Sequence, residues 1–203
     1  MKIICIGRNY ADHAKEMNAE VPTVPVFFMK PDTAILKNGQ DFYYPDFTSD
    51  LHYECELVYR INKAGKNIQA KFAHKYYSEM TLGIDFTARD LQQECKSKGL
   101  PWEIAKSFEN SAPISDVFQQ TDSINPKEIS FELRKNGELV QQGHSHDMIF
   151  SIDEIIAYIS RFMTLKTGDL IYTGTPQGVG PVAIGDVLEG SLNGQAMFRF
   201  EVK

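Results

Sequence analysis

Glu54 and Glu56 stand two residues apart inside Leu51-His52-Tyr53-Glu54-Cys55-Glu56-Leu57-Val58-Tyr59-Arg60, a stretch rich in aromatic and apolar residues and free of Gly and Pro. Such a composition predicts a strand, on which residues two apart point to the same side. Two like charges at that spacing repel, so they are either spread into solvent or bridged by a cation. A solvated strand face explains a lone E-x-E, whereas a metal site needs a third carboxylate. Asp85 is the candidate, because it interrupts the apolar run Leu82-Gly83-Ile84-Asp85-Phe86, where an unpaired charge is costly. Three carboxylates form a hard oxygen donor set that suits Mg2+ or Mn2+ and leaves coordination positions open.

A base is available as well. His13 and Glu16 are three apart in Ala11–Met17, a segment of helical composition, and i, i+3 neighbours meet on one helix face. A carboxylate so placed fixes the imidazole tautomer and raises its basicity, as water activation requires; read alone, the same pair is solvated surface. Lys106, between Ala105 and Ser107 in an uncharged patch, is a candidate cation for an anionic substrate or an ordinary exposed lysine. Gln92 lies early in a predicted helix and faces either the site or water, with spacing alone favouring water. The loop Thr173-Gly174-Thr175-Pro176-Gln177-Gly178-Val179-Gly180 lacks the ending of a nucleotide-binding P-loop, yet its N–H groups and Thr hydroxyls can cradle a carboxylate. His144 and His146 have no third imidazole nearby and are set aside as ligands. Trp102, the only tryptophan, reads as a core aromatic.

These groups depend on the elements that carry them. Met1–Gly7 is a short apolar strand that breaks at Gly7-Arg8-Asn9-Tyr10, ahead of the helix bearing His13. Asn18–Pro25, ending in a Pro-punctuated stretch, suits a movable lid, and Val26–Met29 is a buried strand stopped at Lys30-Pro31. Asn38-Gly39 marks a turn. Ala70–Met80 is predicted helical. Thr87 is the expected cap of a helix through Ala88–Cys95, with Gly99 as its stop. From Ile129 the pattern is β, with hairpin turns at Asn136-Gly137 and Asn193-Gly194. Ser151-Ile152-Asp153-Glu154 is a capping box, opening a helix expected to bury Ile155, Ile156, Ile159, Phe162 and Met163.

The 203 residues, 42% hydrophobic and 24% charged, are enough for one sizeable core, so a single domain over 1–203 is expected. A formal charge of −6 argues against nucleic acid or an anionic membrane as partner. Three widely spaced cysteines, Cys5, Cys55 and Cys95, fit reduced thiols rather than a zinc site. With no membrane-length apolar run and no secretory pattern, a cytoplasmic protein is expected.

Five blocks, taken together, resemble one known family in order. They are Gly7-Arg8-Asn9-Tyr10-Ala11-Asp12-His13; His52-x-Glu54-x-Glu56; Asp85-x-Thr87-Ala88-Arg89-Asp90; Gly99-Leu100-Pro101-Trp102 with Ala105-Lys106-Ser107-Phe108; and Thr173-Gly174-Thr175-Pro176-x-Gly178-Val179-Gly180. The family is that of fumarylacetoacetate hydrolase, and the chain is similar to its small single-domain branch of acylpyruvases and oxaloacetate decarboxylases. The resemblance implies an α+β, predominantly β fold, with a rolled mixed sheet, short peripheral helices and no N-terminal accessory domain, assembled as a homodimer. It implies Glu54, Glu56 and Asp85 as ligands of Mg2+ or Mn2+, with Lys106 as the adjacent cation. Arg8, Gln92 and Thr175 would contact substrate, and His13 with Glu16 would be the base pair on a mobile lid. The expected reaction is metal-dependent cleavage of the C3–C4 bond of an acylpyruvate to pyruvate and a carboxylic acid. Oxaloacetate decarboxylation or keto–enol tautomerisation stands as the alternative, and a non-catalytic metal and 2-oxoacid binder as the second.

Overall fold

In the computed structural model, residues 1–203 are described except Asn18, Ala19 and Asn38, so the start of the expected lid and half of the expected 38–39 turn lie outside the described residues. The largest sheet is mixed and curls into a half-barrel. Its strands run in the order Val26–Lys30, Ile3–Gly7, Leu170–Tyr172, Cys55–Ile61, Tyr77–Ile84, Ala112–Ile114 and Ile35–Lys37, with Gln119–Gln120 added beside Tyr77–Ile84. Ile3–Gly7 pairs in parallel with Leu170–Tyr172, and Ile35–Lys37 with Ala112–Ile114; the other neighbours are antiparallel. A second, antiparallel sheet orders Glu138–His144, Ser130–Lys135, Val187–Leu192 and Gln195–Glu201. A small third sheet joins Gly180–Pro181, Leu51–Tyr53 and Thr87–Ala88.

The central strands are apolar on both faces because both faces are covered. Ile4, Ile6, Leu57, Tyr59 and Leu82 pack in one cluster with Phe131, Leu133 and Leu188 of the second sheet and with Ile152, Ile155, Ile156 and Ile159. Ile3, Cys5, Val58, Leu170 and Tyr172 form a separate cluster on the opposite face. Gly83 is the closest approach: a Cβ there would lie 2.8 Å from the Pro113 carbonyl and from the Tyr172 ring. The two Asn-Gly hairpins form as expected, with φ of 55° and 83° at Asn136-Gly137 and 49° and 77° at Asn193-Gly194.

Among the described residues five short α-helices lie outside: α1 (Ala11–Glu16), α2 (Ala70–Ala73), α3 (Arg89–Lys98), α4 (Glu103–Lys106) and α5 (Ile152–Ile159). Gly99, at φ 64°, ends α3, and the capping box of Ser151 and Glu154 opens α5. Four expectations change. The helix predicted over 70–80 is only α2, since Tyr77–Met80 belong to a strand paired with Cys55–Ile61, where long-range pairing of aromatic and β-branched residues outweighs local propensity. Thr87 does not cap α3; Ala88 takes that position without a side-chain bond, while the Thr87 hydroxyl turns back to the Asp85 carbonyl. α5 ends at Ile159, so Phe162 is exposed beyond it rather than on its buried face. Finally, Leu51–Arg60 is two strands in two different sheets, broken at Glu54.

Candidate active site

The break at Glu54 puts the first acid at a corner between sheets. Cys55 N–H, freed from a ladder, donates to the side-chain oxygen of Gln141 at 2.9 Å. Asp85, just past the end of the neighbouring strand, is tied to the same corner by its own N–H, 2.8 Å from the Glu54 carbonyl. Carboxylate oxygens of Glu54, Glu56 and Asp85 consequently lie within 4.8 Å of one another, all buried. Glu56 projects towards Gly174, whose N–H donates to it at 2.7 Å. Gly174 has φ 96°, and a Cβ there would meet the side chain of Asn9 at 2.7 Å, so only glycine fits. The Thr/Gly loop does cradle a carboxylate, and it is the protein's own.

Three cations surround the acids. Lys106, buried on α4, donates to Glu54 Oε2 at 2.9 Å and to Asp85 Oδ2 at 2.7 Å. Arg89 donates to Glu54 Oε1 at 2.7 Å and to Gln92 at 2.9 Å. Lys30 Nζ is 2.8 Å from Asp85 Oδ1 and also has the carbonyls of Phe86, Lys106 and Ser111 and the Ser111 hydroxyl within hydrogen-bond reach, more acceptors than its three N–H groups can serve at once. Burial opposes ionisation of Glu54, yet Lys106 and Arg89 hold its carboxyl well below the usual range. Glu56 goes the other way: burial, then the charges of Asp85 and Glu54, push its carboxyl well up. Lys106 is kept charged against burial by Asp85 and Glu54.

A divalent cation fits this donor set. Asp85 Oδ1 accepts no hydrogen bond among the described residues, although the Lys30 ammonium stands 2.8 Å from it, Glu56 faces two like charges, and all three acids offer hard oxygens. Lys106 stands against Glu54 and Asp85 but makes no hydrogen bond to Glu56, which leaves the approach from the Glu56 side.

A cavity of about 390 Å³ opens onto the acids. Arg8, His13, Glu54, Glu56, Gln92, Lys106 and Thr175 all line it. Asp85 lies behind Lys106, and Glu16 behind His13. His13 is buried on α1 with Nδ1 3.1 Å from Glu16 Oε2, and the other Glu16 oxygen accepts from Gly178 N–H at 3.0 Å. The pair is thus not the solvated surface that its spacing alone suggests. α1 is held there by Asn9, which bonds the Thr173 carbonyl and both backbone groups of Phe150. Gln92, which spacing alone would turn to water and the resemblance to the substrate, is buried and lines the cavity. The Thr175 hydroxyl is already engaged, donating to the Cys55 carbonyl and accepting from Gln141. Trp102, expected in the core, is instead part of the cavity wall.

Sequence reasoning missed Lys30 and Gln141. Lys30 closes the apolar run Val26–Met29, the same signal of a charge in apolar surroundings that singled out Asp85. Gln141 is a polar residue on the inward face of a strand, and nothing local marks it, because its partners are 34 and 86 residues away. Arg89 is inside a recognised block, but its pairing with Glu54 follows only from the folded geometry.

Comparison with known proteins agrees over the full length. The family model described as "Fumarylacetoacetate (FAA) hydrolase C-terminal" matches residues 2–203. A mouse protein named oxaloacetate tautomerase FAHD1, mitochondrial, is 46% identical over 201 residues, covering 99% of this chain and 91% of the relative. The Arabidopsis thaliana protein of the same name is 41% identical over 202 residues, covering 100% and 91%. The crystal structure of fumarylpyruvate hydrolase from Pseudomonas aeruginosa in complex with Mn2+ and pyruvate superposes with a TM-score of 0.93 at 37% identity, covering 100% of this chain and 89% of that one. By its residues, its fold and its relatives alike, the chain belongs to the fumarylacetoacetate hydrolase family.

Proposed function

We propose that the chain interconverts the keto and enol forms of oxaloacetate at a divalent-metal centre, Mg2+ or Mn2+, held by Glu54, Glu56 and Asp85. The observation that carries this reading is the convergence of three buried carboxylates with a histidine–glutamate pair around one cavity. The names of the mouse and Arabidopsis relatives support the reaction, and the Mn2+ and pyruvate of the Pseudomonas relative support the ion and a 2-oxoacid ligand. When bound, the divalent ion supplies Lewis acidity towards the carboxylate and keto oxygens of the substrate. Lys106 has three N–H donors and uses two on Glu54 and Asp85, leaving one for the oxygen on which negative charge grows. With Nδ1 held by Glu16, His13 works through Nε2, taking a proton from C3 and returning it to oxygen. Arg8 and Gln92 orient the substrate, and Thr175 shapes the wall beside it.

A second reading is favoured by the same pair. If His13 takes its proton from a water poised against a C4 carbonyl, an acylpyruvate is split between C3 and C4 into pyruvate and a carboxylic acid. Oxaloacetate could reach the same enolate by loss of CO2, with no water. No helix among the described residues is long and apolar enough to cross a membrane; a cytoplasmic homodimer completes the proposal.

The test follows the ultraviolet decay of enol-oxaloacetate, and the loss of acetylpyruvate and fumarylpyruvate, with Mg2+ and with chelator. Metal-dependent acceleration of enol decay is expected. If no substrate reacts faster than with Mg2+ alone, the chain is a binder without turnover and the catalytic reading fails.

A further inference from the structure

The backbone between Glu54 and Glu56 is held by side chains from other parts of the chain. Cys55 lies between the two acids, so the relative aim of their carboxylates depends on how Cys55 is fixed. Both of its backbone groups are bracketed: the N–H donates to Gln141 Oε1 at 2.9 Å, and the carbonyl accepts from the Thr175 hydroxyl at 2.8 Å. Gln141 Nε2 closes the ring, donating to Thr175 Oγ1 at 2.8 Å and to the Pro176 carbonyl at 3.0 Å. Gln141 and Thr175 are both buried.

The direction of each bond follows from its partners. Turning the Gln141 amide over would set its nitrogen against the Cys55 N–H and its oxygen against the Pro176 carbonyl, so two neighbours fix which end is which. The Cys55 carbonyl can only accept, so it takes the single hydroxyl proton of Thr175. Thr175 thus lines the cavity with that proton committed to the backbone, and its hydroxyl donates nothing to a ligand.

Gln141 reaches this corner through an irregularity in its own strand. Glu138–His144 is the outer strand of the second sheet; Leu133 pairs with Gln141 and Arg134 with Leu139, which leaves Val140 as the extra residue of a β-bulge. Strict alternation from the exposed Leu139 would turn Gln141 outwards, whereas the bulge turns it in. Bulges beside active sites re-aim side chains in this way. The same bulge sets the Val140 carbonyl against Gly178, where any Cβ would collide with it, and Gly178 N–H holds Glu16 at 3.0 Å.

We propose that Gln141 is a positioning residue of the metal centre: through Cys55 and Thr175 it sets the relative aim of Glu54 and Glu56. This rests on the reading above that these acids hold a divalent cation. Gln141 is not among the described residues that line the cavity, so it acts through the backbone it holds. Lys106 and Arg89 balance the charge of the acids; Gln141 fixes their geometry. Without the ring both polar groups of Cys55 would be unpaired in a buried corner, and the chain would turn to satisfy them, taking the two carboxylates out of register.

Mn2+ is titrated calorimetrically into the wild type, Gln141→Met, Thr175→Val, Thr175→Ser and Ile159→Ala, and each protein is melted in EDTA. Gln141→Met keeps the length of the side chain and removes its hydrogen bonds; it should raise the Mn2+ Kd about 10–100-fold, the usual effect of losing a partner behind the ligands. Thr175→Val, which keeps the shape and loses the hydroxyl, should weaken Mn2+ in the same direction, and Thr175→Ser, which keeps the hydroxyl, should restore it. Ile159→Ala opens a cavity under α5 and should lower Tm without moving the Mn2+ Kd. If Gln141→Met does not fold, the Val and Ser variants of Thr175 decide the matter. An unchanged Kd in Gln141→Met and Thr175→Val, equal losses in Thr175→Val and Thr175→Ser, or an equal loss in Ile159→Ala overturns the positioning role and leaves the metal centre standing. A wild type that binds no Mn2+ overturns both.

Discussion

Replacing Lys30 with Met removes one of three cations around the acids while keeping most of the side-chain volume. Lys30 is 1% exposed, and its ammonium lies 2.8 Å from Asp85 with three backbone carbonyls and one hydroxyl within hydrogen-bond reach. Removing one partner of a buried pair costs about 3–5 kcal/mol, because the remaining charge keeps its desolvation penalty without its compensation. In a chain of this length 1 kcal/mol moves Tm by about 2–4 °C, so Lys30→Met should melt roughly 6–20 °C below the wild type in EDTA. A divalent ion at one hundred times its Kd contributes about 2.7 kcal/mol. It should raise the variant's Tm more than the wild type's, since it replaces the lost charge and no longer competes with an ammonium for Asp85. Calorimetric melting of both proteins, with EDTA and with Mg2+, checks each part. A Tm within about 2 °C of wild type in EDTA, or equal Mg2+ shifts in the two proteins, would refute this electrostatic account of the site.

Three further outcomes are expected. His13→Ala should lower turnover of whichever 2-oxoacid the protein accepts by about 10²–10⁴-fold while leaving the Mg2+ Kd unchanged, and a matching loss of Mg2+ affinity would make His13 a structural part of the acid cluster. Gly83→Ala should lose about 1–3 kcal/mol in denaturant unfolding, because its Cβ would meet the Pro113 carbonyl and the Tyr172 ring at 2.8 Å; unchanged stability would mean the strands separate freely there. At Asp186 burial opposes ionisation, but Ala183 N–H, the Asn136 amide and Lys135 hold its carboxyl below the usual 3.8. A depressed carboxyl contributes stability above its unfolded pKa and loses it as pH falls through the folded one, so Asp186→Asn should flatten the acid limb of the Tm–pH curve. Parallel acid limbs in the two proteins would contradict that assignment.

The acids were legible because their signal is local. Glu54 and Glu56 share a strand-like stretch, and Asp85 breaks an apolar run; each is visible within ten residues. The partners that make the cluster tolerable were not, since Lys30, Gln141 and the Gly174 N–H arrive from separate strands and loops. Nor was the burial of His13, which depends on Asn9 reaching Thr173 and Phe150. The expected single strand from Leu51 to Arg60 failed for a related reason: a composition that favours strand does not report a corner where the chain changes sheets. Tyr77–Met80 read as helix because its pairing partners lie some twenty residues earlier, out of reach of any window of propensity. Trp102 was misplaced since an apolar side chain looks the same in a core and in the wall of a cavity. Five blocks in family order fixed the fold where these local patterns did not.

The most direct measurement is a calorimetric titration of Mn2+ into the purified chain, repeated with Glu56→Gln. Glu56 is the ligand of choice because burial and its two acidic neighbours disfavour its charge, so only a bound cation gives that charge a use. One Mn2+ per chain is expected, with proton release that grows as pH falls towards the raised Glu56 range, and with binding lost in Glu56→Gln. Absence of binding at millimolar Mn2+, or undiminished binding by Glu56→Gln, would contradict a metal centre built on Glu54, Glu56 and Asp85.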